Sequence, residues 1–555
     1  MATVVARHQR ARLTYKQLWL RSNAFARGLR DAGVQKGDRV AVSLGNSAEY
    51  AIATYGIFRL GAILVPLNPA FTSIQVASAL NHLQVSHLLI GAETNLPYRP
   101  AASNVALLQD LVGDSESATL RSKAVPSLSR IIVVDNSNSR VDYSGFKSLL
   151  QYNELVDSST DAISAEILKN SDIINIQFTS GTTSNPKAAS LTHRSILNNG
   201  FSIGERMLLS PEDRVCCPPP LFHCFGCVLG YMATATHGSA IVFPNEAFDA
   251  EHTLKAVQEE QCTALYGVPT MFLRELDLLT SGQVKHEGFQ YLRTGIAAGS
   301  SIPAELMRRL HRDLNLTQLT ICYGMTESSP VSCMTTTDDP IEKRINTVGR
   351  LLPHVEAKVV DPLDRTKTLG VDERGELAVS GYLVMKGYWG DDARTKEAMG
   401  KDTDGKLWLY TGDEAAIDAD GYVQITGRLK DLIIRGGENI HPLEVRATYL
   451  VQVWKYLTVL EIENCLLSHK GISDVSVVGV KDEKYGEIVA VFVIKNRSAA
   501  NSLTEKEVRE WVRDRMSKHL VPKHVIFVDT FPKTASGKVQ KFLLREEAAK
   551  LASAV

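Results

Sequence analysis

Neither sign of charge dominates this sequence, and no block of basic residues stands out along it. Its 555 residues carry 61 Lys and Arg against 62 Asp and Glu, which leaves a formal net charge of −1. A protein that binds nucleic acid through phosphate groups needs a basic face to neutralise them. The composition therefore argues against a nucleic-acid-binding protein.

Long apolar runs are also missing. No stretch approaches the length of about 20 apolar residues that a membrane-spanning helix requires. The beginning does not resemble a secretory leader, because residues 12–15 already read as structured chain, and the final Ala-Ser-Ala-Val is not a Ser-Lys-Leu-type address. We therefore expect a soluble protein, without an integral membrane segment, in the cytoplasm or the peroxisome.

Cysteine is scarce, with eight residues in the chain, and half of them fall in one short stretch. Cys216, Cys217, Cys224 and Cys227 lie near His223, which raises the question of a zinc site. Structural zinc sites usually combine one Cys-x-x-Cys pair with a second pair at a matching distance, which the sequence does not offer. We interpret these cysteines as reduced thiols in an apolar core.

What the sequence does contain is a regular alternation of β-branched runs and helical stretches. Strands are predicted over residues 39–43, 62–66, 87–90, 130–134 and 239–243, with helices between them, for example over 16–32 and 303–314. This alternation is typical of layered α/β architecture with largely parallel sheets.

The pattern changes from about Asn346 onwards. Shorter strands, such as 375–381 and 420–425, alternate there with Gly-rich turns, which predicts a small β subdomain. A charged junction follows Gly427 and leads into a compact α+β tail.

A turn rich in hydroxyl groups and glycine follows the apolar run 172–177. From Phe178 to Lys187 it reads Phe-Thr-Ser-Gly-Thr-Thr-Ser-Asn-Pro-Lys. Loop amides, small hydroxyls and a lysine are suited to holding phosphate, although the Gly-Lys-Ser/Thr ending of the common P-loop is absent. Alone, the turn could equally be an ordinary polar surface loop.

Further segments carry polar groups that could act on the same ligand. They are 220–226, 294–299, 323–327, 410–413, 427–431 and 532–538. Each has a plainer explanation when taken singly. His223 could be a structural histidine and Tyr323 a core aromatic, while Glu327, Asp413 and Lys538 could be ordinary solvated charges. Coincidence does not explain all of them together in this order.

Together these motifs resemble the adenylate-forming superfamily of acyl-CoA synthetases, adenylation domains and luciferases, and in particular its acyl-CoA synthetase branch. The resemblance runs from Leu13 to Arg545. It implies an α/β fold with a large N-terminal domain, 1–429, made of two layered α/β lobes plus a β subdomain. A small mobile α+β lid domain, 430–555, would follow. It also implies ATP, Mg²⁺, CoA and a small-molecule carboxylic acid as ligands.

The resemblance also implies roles for individual residues. The residues implied in ATP and CoA binding are Thr179, Ser180, Gly181, Thr182, Thr183, Ser184, Asn185, Pro186, Lys187, Gly299, Tyr323, Gly324, Asp413, Arg428, Lys430, Gly437, Glu438 and Asn439. Among them, the turn would hold the phosphates, Tyr323 would stack on adenine and Asp413 would accept the ribose hydroxyls. Lys430 would be the hinge of the lid, and 437–439 would face the pantetheine thiol.

The catalytic residues that the resemblance implies are Lys538, Glu327, Thr326 and His223. Lys538 would reach both the substrate carboxylate and the α-phosphate, and Thr326 would touch the α-phosphate. Glu327 would bind Mg²⁺. His223 would be the gate between the acyl pocket and the thiol tunnel.

The chain departs from the family pattern in two places. Ser184 and Ala188 stand where family members usually have glycine, which predicts a stiffer phosphate turn and reduced activity. Between Glu444 and Ile462 an apolar segment of 17 residues, 445–461, interrupts a family-like helix. We hypothesise that it is a translated intron, and a genuine insertion packed against the lid is the alternative.

The leading hypothesis is an acyl-CoA ligase (AMP-forming) that acts on an aliphatic, medium-chain acid. Small residues at 295 and 297–299, beside Val228 and Leu229, predict an open apolar channel for the acid. Two alternatives stay open. One is a stand-alone enzyme that loads a carrier protein in specialised metabolism, and the other is a catalytically weakened nucleotide-binding protein.

Overall fold

The computed structural model describes residues 3–96, 99–156, 167–179, 187–299, 302, 304–429, 434–435, 438–439, 459–482, 486–496, 503–516, 520–533 and 539–553. None of the helices in these ranges is long and apolar enough to cross a membrane. The chain divides into two units. Unit 1 comprises Met1–Arg344, Gly349–Glu356 and Ser380–Leu409, and unit 2 comprises Ile345–Val348, Ala357–Val379 and Tyr410–Val555.

Strands are numbered here in chain order. They are β1 (Val4–Ala6), β2 (Ala11–Leu13), β3 (Arg39–Ser43), β4 (Ile63–Pro66), β5 (His87–Gly91), β6 (Glu93–Thr94), β7 (Ala102–Ser103), β8 (Arg130–Val134), β9 (Leu149–Gln151), β10 (Ile173–Thr179), β11 (Lys187–Thr192), β12 (Arg214–Cys216), β13 (Ala240–Phe243), β14 (Ala264–Gly267), β15 (Thr294–Ala297), β16 (Gln318–Gly324), β17 (Val331–Met334), β18 (Arg350–Leu351), β19 (Val355–Val360), β20 (Gly375–Gly381), β21 (Met399–Lys401), β22 (Leu407–Ile417), β23 (Val423–Arg428), β24 (Ile434–Arg435), β25 (Glu438–Asn439), β26 (Ile472–Asp482), β27 (Gly486–Lys495) and β28 (His524–Phe527).

Helices are numbered in the same way. They are α1 (Tyr15–Asp31), α2 (Ala48–Arg59), α3 (Ser73–His82), α4 (Val105–Val112), α5 (Tyr152–Val156), α6 (His193–Arg206), α7 (Ala233–Thr236), α8 (Ala250–Glu259), α9 (Pro269–Thr280), α10 (Ala304–Leu314), α11 (Ile341–Asn346), α12 (Asp392–Ala398), α13 (Val459–Leu467), α14 (Glu505–Arg513) and α15 (Lys541–Ser553). A π-helical segment, Phe225–Met232, precedes α7, and a 3₁₀ turn, Thr326–Ser328, follows β16.

Two large sheets form the centre of unit 1. The first has nine strands in the order β18-β17-β16-β15-β14-β12-β13-β1-β2, and the second has seven in the order β11-β10-β4-β3-β5-β8-β9. Within the first sheet β12 to β16 pair in parallel, and within the second β3, β4, β5 and β8 do so. The predicted pair of layered lobes with largely parallel sheets is therefore observed.

The parallel strands are buried because their sequences are almost wholly apolar. In the second sheet Ala41, Val65, Leu88 and Ile131 belong to one core together with apolar residues of α3 and α4, such as Leu80. Full burial of a Val or Leu side chain contributes about 1.5–3 kcal/mol. Continuous β-branched runs of this kind are typical of strands that are covered on both faces.

Capping boxes begin four of the helices, α1, α3, α6 and α14. A threonine hydroxyl accepts a hydrogen bond from the backbone N–H three residues further on, and the side chain there accepts one from the backbone of the threonine. Such capping boxes contribute roughly 1 kcal/mol each. The threonines are Thr14, Thr72, Thr192 and Thr504.

The last part of unit 2 is a small α+β fold. Strands β26 and β27 pair over most of their length, and their side chains alternate between two cores. Val475 and Val477 pack with residues of α13 and α14, whereas Val478 and Val480 pack with Leu544 of α15. The compact α+β tail that the sequence predicts is thus observed in the residues described.

Most predicted elements agree closely with the structure. The strand predicted over 39–43 is found as Arg39–Ser43, and the helix predicted over 303–314 is found as Ala304–Leu314. The prediction of a strand over 420–425 is wrong at both ends, since the observed strand runs from Val423 to Arg428. It begins later because Gly421 N–H donates to Asp418 O in a turn. The domain boundary at 429 stays a prediction, and most of 445–461 lies outside the described residues.

Candidate functional site at the carboxyl edge of the nine-stranded sheet

Several predicted site residues follow neighbouring parallel strands of the nine-stranded sheet. Gly267, Ala297 and Ile321 stand opposite one another in β14, β15 and β16, so the carboxyl ends of these strands meet at one edge. We call it the carboxyl edge. Gly299 follows β15, Tyr323 and Gly324 end β16, and the chain after β12 leads to His223. Ligands of α/β proteins bind characteristically at such an edge.

The last residue of β16, Gly324, has no room for a side chain. A Cβ atom on Gly324 would lie 1.8 Å from the carbonyl oxygen of Pro330. The turn after β16 is closed by Met325 N–H, which donates to the same oxygen at 3.0 Å, and by the Ser328 hydroxyl, which donates to it at 2.7 Å. This tight closure sets the path of the chain through Thr326 and Glu327. Gly324 therefore has a structural role, whatever its part in nucleotide binding.

Glu327 is connected to the end of the phosphate turn through a residue that the sequence analysis did not name. The hydroxyl of Tyr388 donates to Glu327 Oε1 at 2.7 Å, and Lys187 Nζ lies 4.9 Å from the centroid of the Tyr388 ring. Backbone pairing holds this arrangement, because Ala189 of β11 bridges to Tyr388. The structure thus brings Glu327 and Lys187 around one tyrosine.

The strands on either side of the predicted phosphate turn pair with each other. Strands β10 and β11 are antiparallel, and Thr179 pairs with Lys187 across the two ends of the turn. The predicted ligands between them lie outside the described residues; they are Ser180, Gly181, Thr182, Thr183, Ser184, Asn185 and Pro186. The structure therefore places the base of the predicted turn at Thr179 and Lys187.

His223 is connected to Thr326 through a buried thiol. Cys224 Sγ lies 3.8 Å from His223 Nδ1 and 3.8 Å from Thr326 Oγ1. The backbone N–H of Phe225 donates to His223 Nδ1 at 3.1 Å, so in the neutral ring the proton is on Nε2. Two predicted catalytic residues, more than 100 positions apart in sequence, are therefore close in space.

Gly299 and Tyr323 are the predicted adenine contacts. Gly299 has φ +95°, a conformation that favours glycine, and a Cβ there would lie 3.2 Å from Val268 Cγ1. Tyr323 is half-buried and pairs with Cys333 in β17. Both stand at the carboxyl edge, and their contact with adenine stays a prediction.

The loop that carries His223 is anchored by Asn46, which is fully buried. The side-chain amide of Asn46 donates to Pro219 O at 3.1 Å, and its Oδ1 accepts from Leu221 N–H at 2.7 Å. The hydroxyl of Tyr50 donates to the carbonyl of Leu221 at 3.2 Å. Because Asn46 follows β3, a residue of the seven-stranded sheet's lobe holds a loop of the other lobe.

Asn46→Ala should lower the free energy of unfolding by about 2 kcal/mol, because buried backbone groups of the loop lose their partners. Thermal or denaturant unfolding of the purified protein measures this. Asn198→Ala is a matched control, since Asn198 is exposed on α6. A similar loss in both variants would show that Asn46 does not anchor the loop.

The cysteines near His223 are buried thiols, as the sequence predicts. Cys216, Cys217, Cys224 and Cys227 are all buried and free, and burial raises the pKa of Cys227 to about 12. Within the described ranges there is no group of three or more His, Cys, Asp or Glu residues able to hold a metal ion. These thiols serve packing next to the π-helical segment.

A Mg²⁺ ion that accompanies ATP would require fewer protein ligands. Magnesium is usually held by one or two carboxylates together with phosphate oxygens and water. Glu327 fits this requirement, because its side chain is nearly buried and the described residues engage only Oε1, through Tyr388. The residues present are therefore suited to a nucleotide-bound Mg²⁺.

Asp413 and Arg428 form a pair in unit 2. They face each other across β22 and β23, and Arg428 Nε lies 3.2 Å from Asp413 Oδ1. Asp413 is buried whereas the Arg428 side chain is half exposed. The backbone next to Asp413 is held by Glu376, whose Oε1 accepts a hydrogen bond from Gly412 N–H at 3.1 Å. Arg365 Nε donates to Glu376 Oε2 at 2.7 Å. Asp413 is therefore anchored both through its carboxylate and through the backbone beside it.

The remaining predicted residues belong to the last part of the chain. Glu438 and Asn439 form strand β25, which pairs with β24 in a short hairpin. Lys430, Gly437 and Lys538 lie outside the described residues. Their assigned roles stay predictions.

Comparison with protein families gives two matches along the chain. Residues 2–389 match the profile described as "AMP-binding enzyme", and residues 461–538 match that of the "AMP-binding enzyme C-terminal domain". Segment 445–461 falls almost wholly between the two.

Curated relatives cover nearly the entire chain. Acyl-CoA ligase SID4 of Ajellomyces capsulatus is 41% identical over 553 residues, which are 98% of this chain and 88% of the relative. Medium-chain acyl-CoA ligase ACSF2, mitochondrial, of Bos taurus is 35% identical over 98% of this chain and 84% of its own length.

Solved structures agree with the architecture. ATP-bound MatB from Rhodopseudomonas palustris has a TM-score of 0.82 at 25% identity, covering 99% of this chain and 96% of that one. The anthranilate CoA ligase AuaEII, in complex with anthranoyl-AMP, has the same TM-score at 23% identity and covers 100% of this chain and 95% of its own. The predicted fold class is confirmed.

Proposed function

Because this chain belongs to the AMP-binding enzyme family and is an ATP-dependent acyl-CoA ligase, we propose that it activates an aliphatic carboxylic acid in two steps. In the first, a carboxylate oxygen attacks the α-phosphorus of ATP and the bond to the bridging oxygen of pyrophosphate breaks. In the second, the CoA sulfur attacks the acyl carbon, the bond to AMP breaks and the thiol proton is released. The enzyme uses ATP, Mg²⁺ and CoA.

One observation supports these residue roles. Thr326 lies near His223 through Cys224, and the adjacent Glu327 lies near Lys187 through Tyr388. An anionic carboxylate that approaches a polyphosphate needs positive charge and fixed hydrogen-bond donors around the reacting phosphorus. Lys187 and the hydroxyl of Thr326 supply such groups. A Mg²⁺ bound to Glu327 would neutralise part of the phosphate charge.

The other predicted roles complete the proposal. Tyr323 offers its ring to adenine, and Gly299 lets the base approach the backbone. Asp413 accepts hydrogen bonds from the ribose hydroxyls, with Arg428 holding its carboxylate in place. Lys538 contributes a second positive charge to the first step, and Lys430 is the hinge of the C-terminal domain.

Asp413→Asn should raise the KM for ATP by about tenfold, because a neutral amide accepts ribose hydroxyls more weakly and loses its charged bond to Arg428. Steady-state kinetics with varied ATP measure this change. Asp420→Asn, on the turn of the same hairpin, is the control. An unchanged KM for ATP in Asp413→Asn would contradict the ribose contact.

The proposed substrate class rests on the small residues near the carboxyl edge. Gly295 and Ala297 lie in β15 and Ala298 directly follows it, whereas Val228 and Leu229 are buried and apolar. An acid pocket lined by small and apolar residues suits an aliphatic chain better than a charged or bulky acid. Relatives named medium-chain acyl-CoA ligase support an acid of that size. A cytoplasmic or peroxisomal location remains part of the proposal.

A panel of straight-chain, branched and aromatic acids tests this function. Purified protein is incubated with each acid, ATP, Mg²⁺ and CoA, and acyl-CoA is identified by mass spectrometry. We expect aliphatic acids of medium length to give the highest kcat/KM. Acyl transfer only to a carrier protein, and never to CoA, would overturn the proposal.

A further inference from the structure

The arrangement around Tyr388 joins three groups that come from distant parts of the sequence. Its hydroxyl donates to Glu327 Oε1 at 2.7 Å, and its ring faces Lys187 Nζ at 4.9 Å. Its backbone is held independently of both, through the bridge to Ala189 and through Gly387 O, which accepts from Ser190 N–H at 3.0 Å. These backbone contacts fix the position of Tyr388, so its hydroxyl is directed at the Glu327 carboxylate.

Tyr388 also separates a cation from an anion. Both Lys187 and Glu327 contact it, yet among the described residues the two charges form no ion pair with each other within 4.0 Å. A direct ion pair would neutralise both groups. With the tyrosine between them, the ammonium stays available to an anionic ligand and the second carboxylate oxygen to a cation.

We propose that Tyr388 is a positioning residue for adenylation, which orients the Glu327 carboxylate toward a nucleotide-bound divalent cation while its ring keeps Lys187 apart. This rests on the function proposed above. A carboxylate that accepts one fixed hydrogen bond cannot rotate freely, so its other oxygen keeps one direction.

Tyr388→Phe isolates the hydroxyl. The phenyl ring stays over Lys187 and the backbone bridge to Ala189 remains, so only the bond to Glu327 is lost. Tyr382→Phe is the matched control, because the Tyr382 hydroxyl contacts Ser202 Oγ at 3.3 Å on α6, away from Glu327. Both variants remove one phenolic hydroxyl from the same segment of unit 1.

Three readouts are compared in wild type and both variants. The first two are acid-dependent ATP–pyrophosphate exchange and thioester formation from supplied acyl-AMP. The third is the affinity for Mn²⁺ in the presence of a non-hydrolysable ATP analogue, measured by electron paramagnetic resonance. For Tyr388→Phe we expect exchange to fall about tenfold and Mn²⁺ affinity to fall about threefold to tenfold. Thioester formation and the thermal midpoint should stay near those of wild type, and Tyr382→Phe should change none of them.

Equal losses in both half-reactions, or unchanged Mn²⁺ affinity in Tyr388→Phe, would overturn this inference. So would unchanged exchange in Tyr388→Phe while wild type is active. If wild-type protein itself shows no acid-dependent exchange with any acid, the proposed function fails instead. The two failures are therefore distinguishable.

Discussion

Glu327→Gln should slow formation of the acyl adenylate by about a hundredfold or more while leaving the fold intact. Glutamine has the same shape, and its side-chain oxygen can still accept the hydrogen bond from Tyr388. The change removes only the negative charge that would hold a divalent cation beside the phosphates. Single-turnover formation of acyl-AMP measures the loss, and the thermal midpoint checks the fold.

The matched control for this prediction is Glu305→Gln, which makes the same chemical change at an exposed position on α10. Thioester formation from supplied acyl-AMP should be nearly unaffected in Glu327→Gln, because that step no longer involves pyrophosphate as a leaving group. Adenylation within about threefold of wild type in Glu327→Gln would contradict the role assigned to its charge.

The second large effect concerns stability and a carboxyl group away from the site. Glu275, on α9, is fully buried, and neither of its oxygens has a hydrogen-bond partner among the residues that the structure describes. Burial raises its pKa from 4.5 to about 8. The folded protein therefore holds Glu275 protonated at neutral pH, whereas the unfolded chain would ionise it.

The sign of the pH dependence follows from this difference. Below pH 4.5 the group is protonated in both states, so it adds no pH dependence to the free energy of unfolding. Between pH 4.5 and 8 the unfolded chain releases the proton while the folded protein keeps it, so stability falls by about 1.4 kcal/mol per pH unit from this group. Above pH 8 the loss levels off, at an upper bound of about 5 kcal/mol.

Glu275→Gln should remove this loss, so the variant should gain stability relative to wild type as the pH rises from 5 to 8.5. Calorimetric unfolding at several pH values measures the difference, which should grow by several kcal/mol. Asp277→Asn, at an exposed position on the same helix, should show a nearly constant difference. A pH-independent difference for Glu275→Gln would show that this carboxyl is ionised in the folded protein.

Elements were predictable from the sequence where one local pattern determines them. Arg39–Ser43 and Arg130–Val134 were predicted to the residue, since each is a β-branched run bounded by polar or turn residues. Boundaries failed where turn chemistry competes with strand preference. In 420–425, Gly421 and its neighbours close a turn, and the strand starts only at Val423.

The candidate site was only partly predictable. Short motifs single out Thr326, Glu327 and His223 in the sequence, and the structure shows that His223 and Thr326 both lie near Cys224. Their roles stay predictions. Tyr388 was missed because its contact with Glu327 depends on long-range pairing of its segment with β11, which no local period encodes. The only local signal was an aromatic pair after a glycine, Gly-Tyr-Trp at 387–389.

Asn46 was missed for a related reason. A single asparagine after a strand is an ordinary turn residue in sequence. Its role depends on the loop after β12, more than 170 positions away, reaching the same place in space. Buried polar residues that join two lobes can therefore be recognised only once the fold is known.

Acid-dependent exchange of labelled pyrophosphate into ATP tests the central claim most directly, because it requires the carboxylate, the nucleotide and the carboxyl-edge residues to act together. Purified protein with Mg²⁺ and ATP is assayed with a broad set of aliphatic acids and without acid. The account predicts exchange that depends on acid in the wild type and is almost lost in Glu327→Gln. Wild-type protein that is folded, yet exchanges no label with any acid, would contradict it.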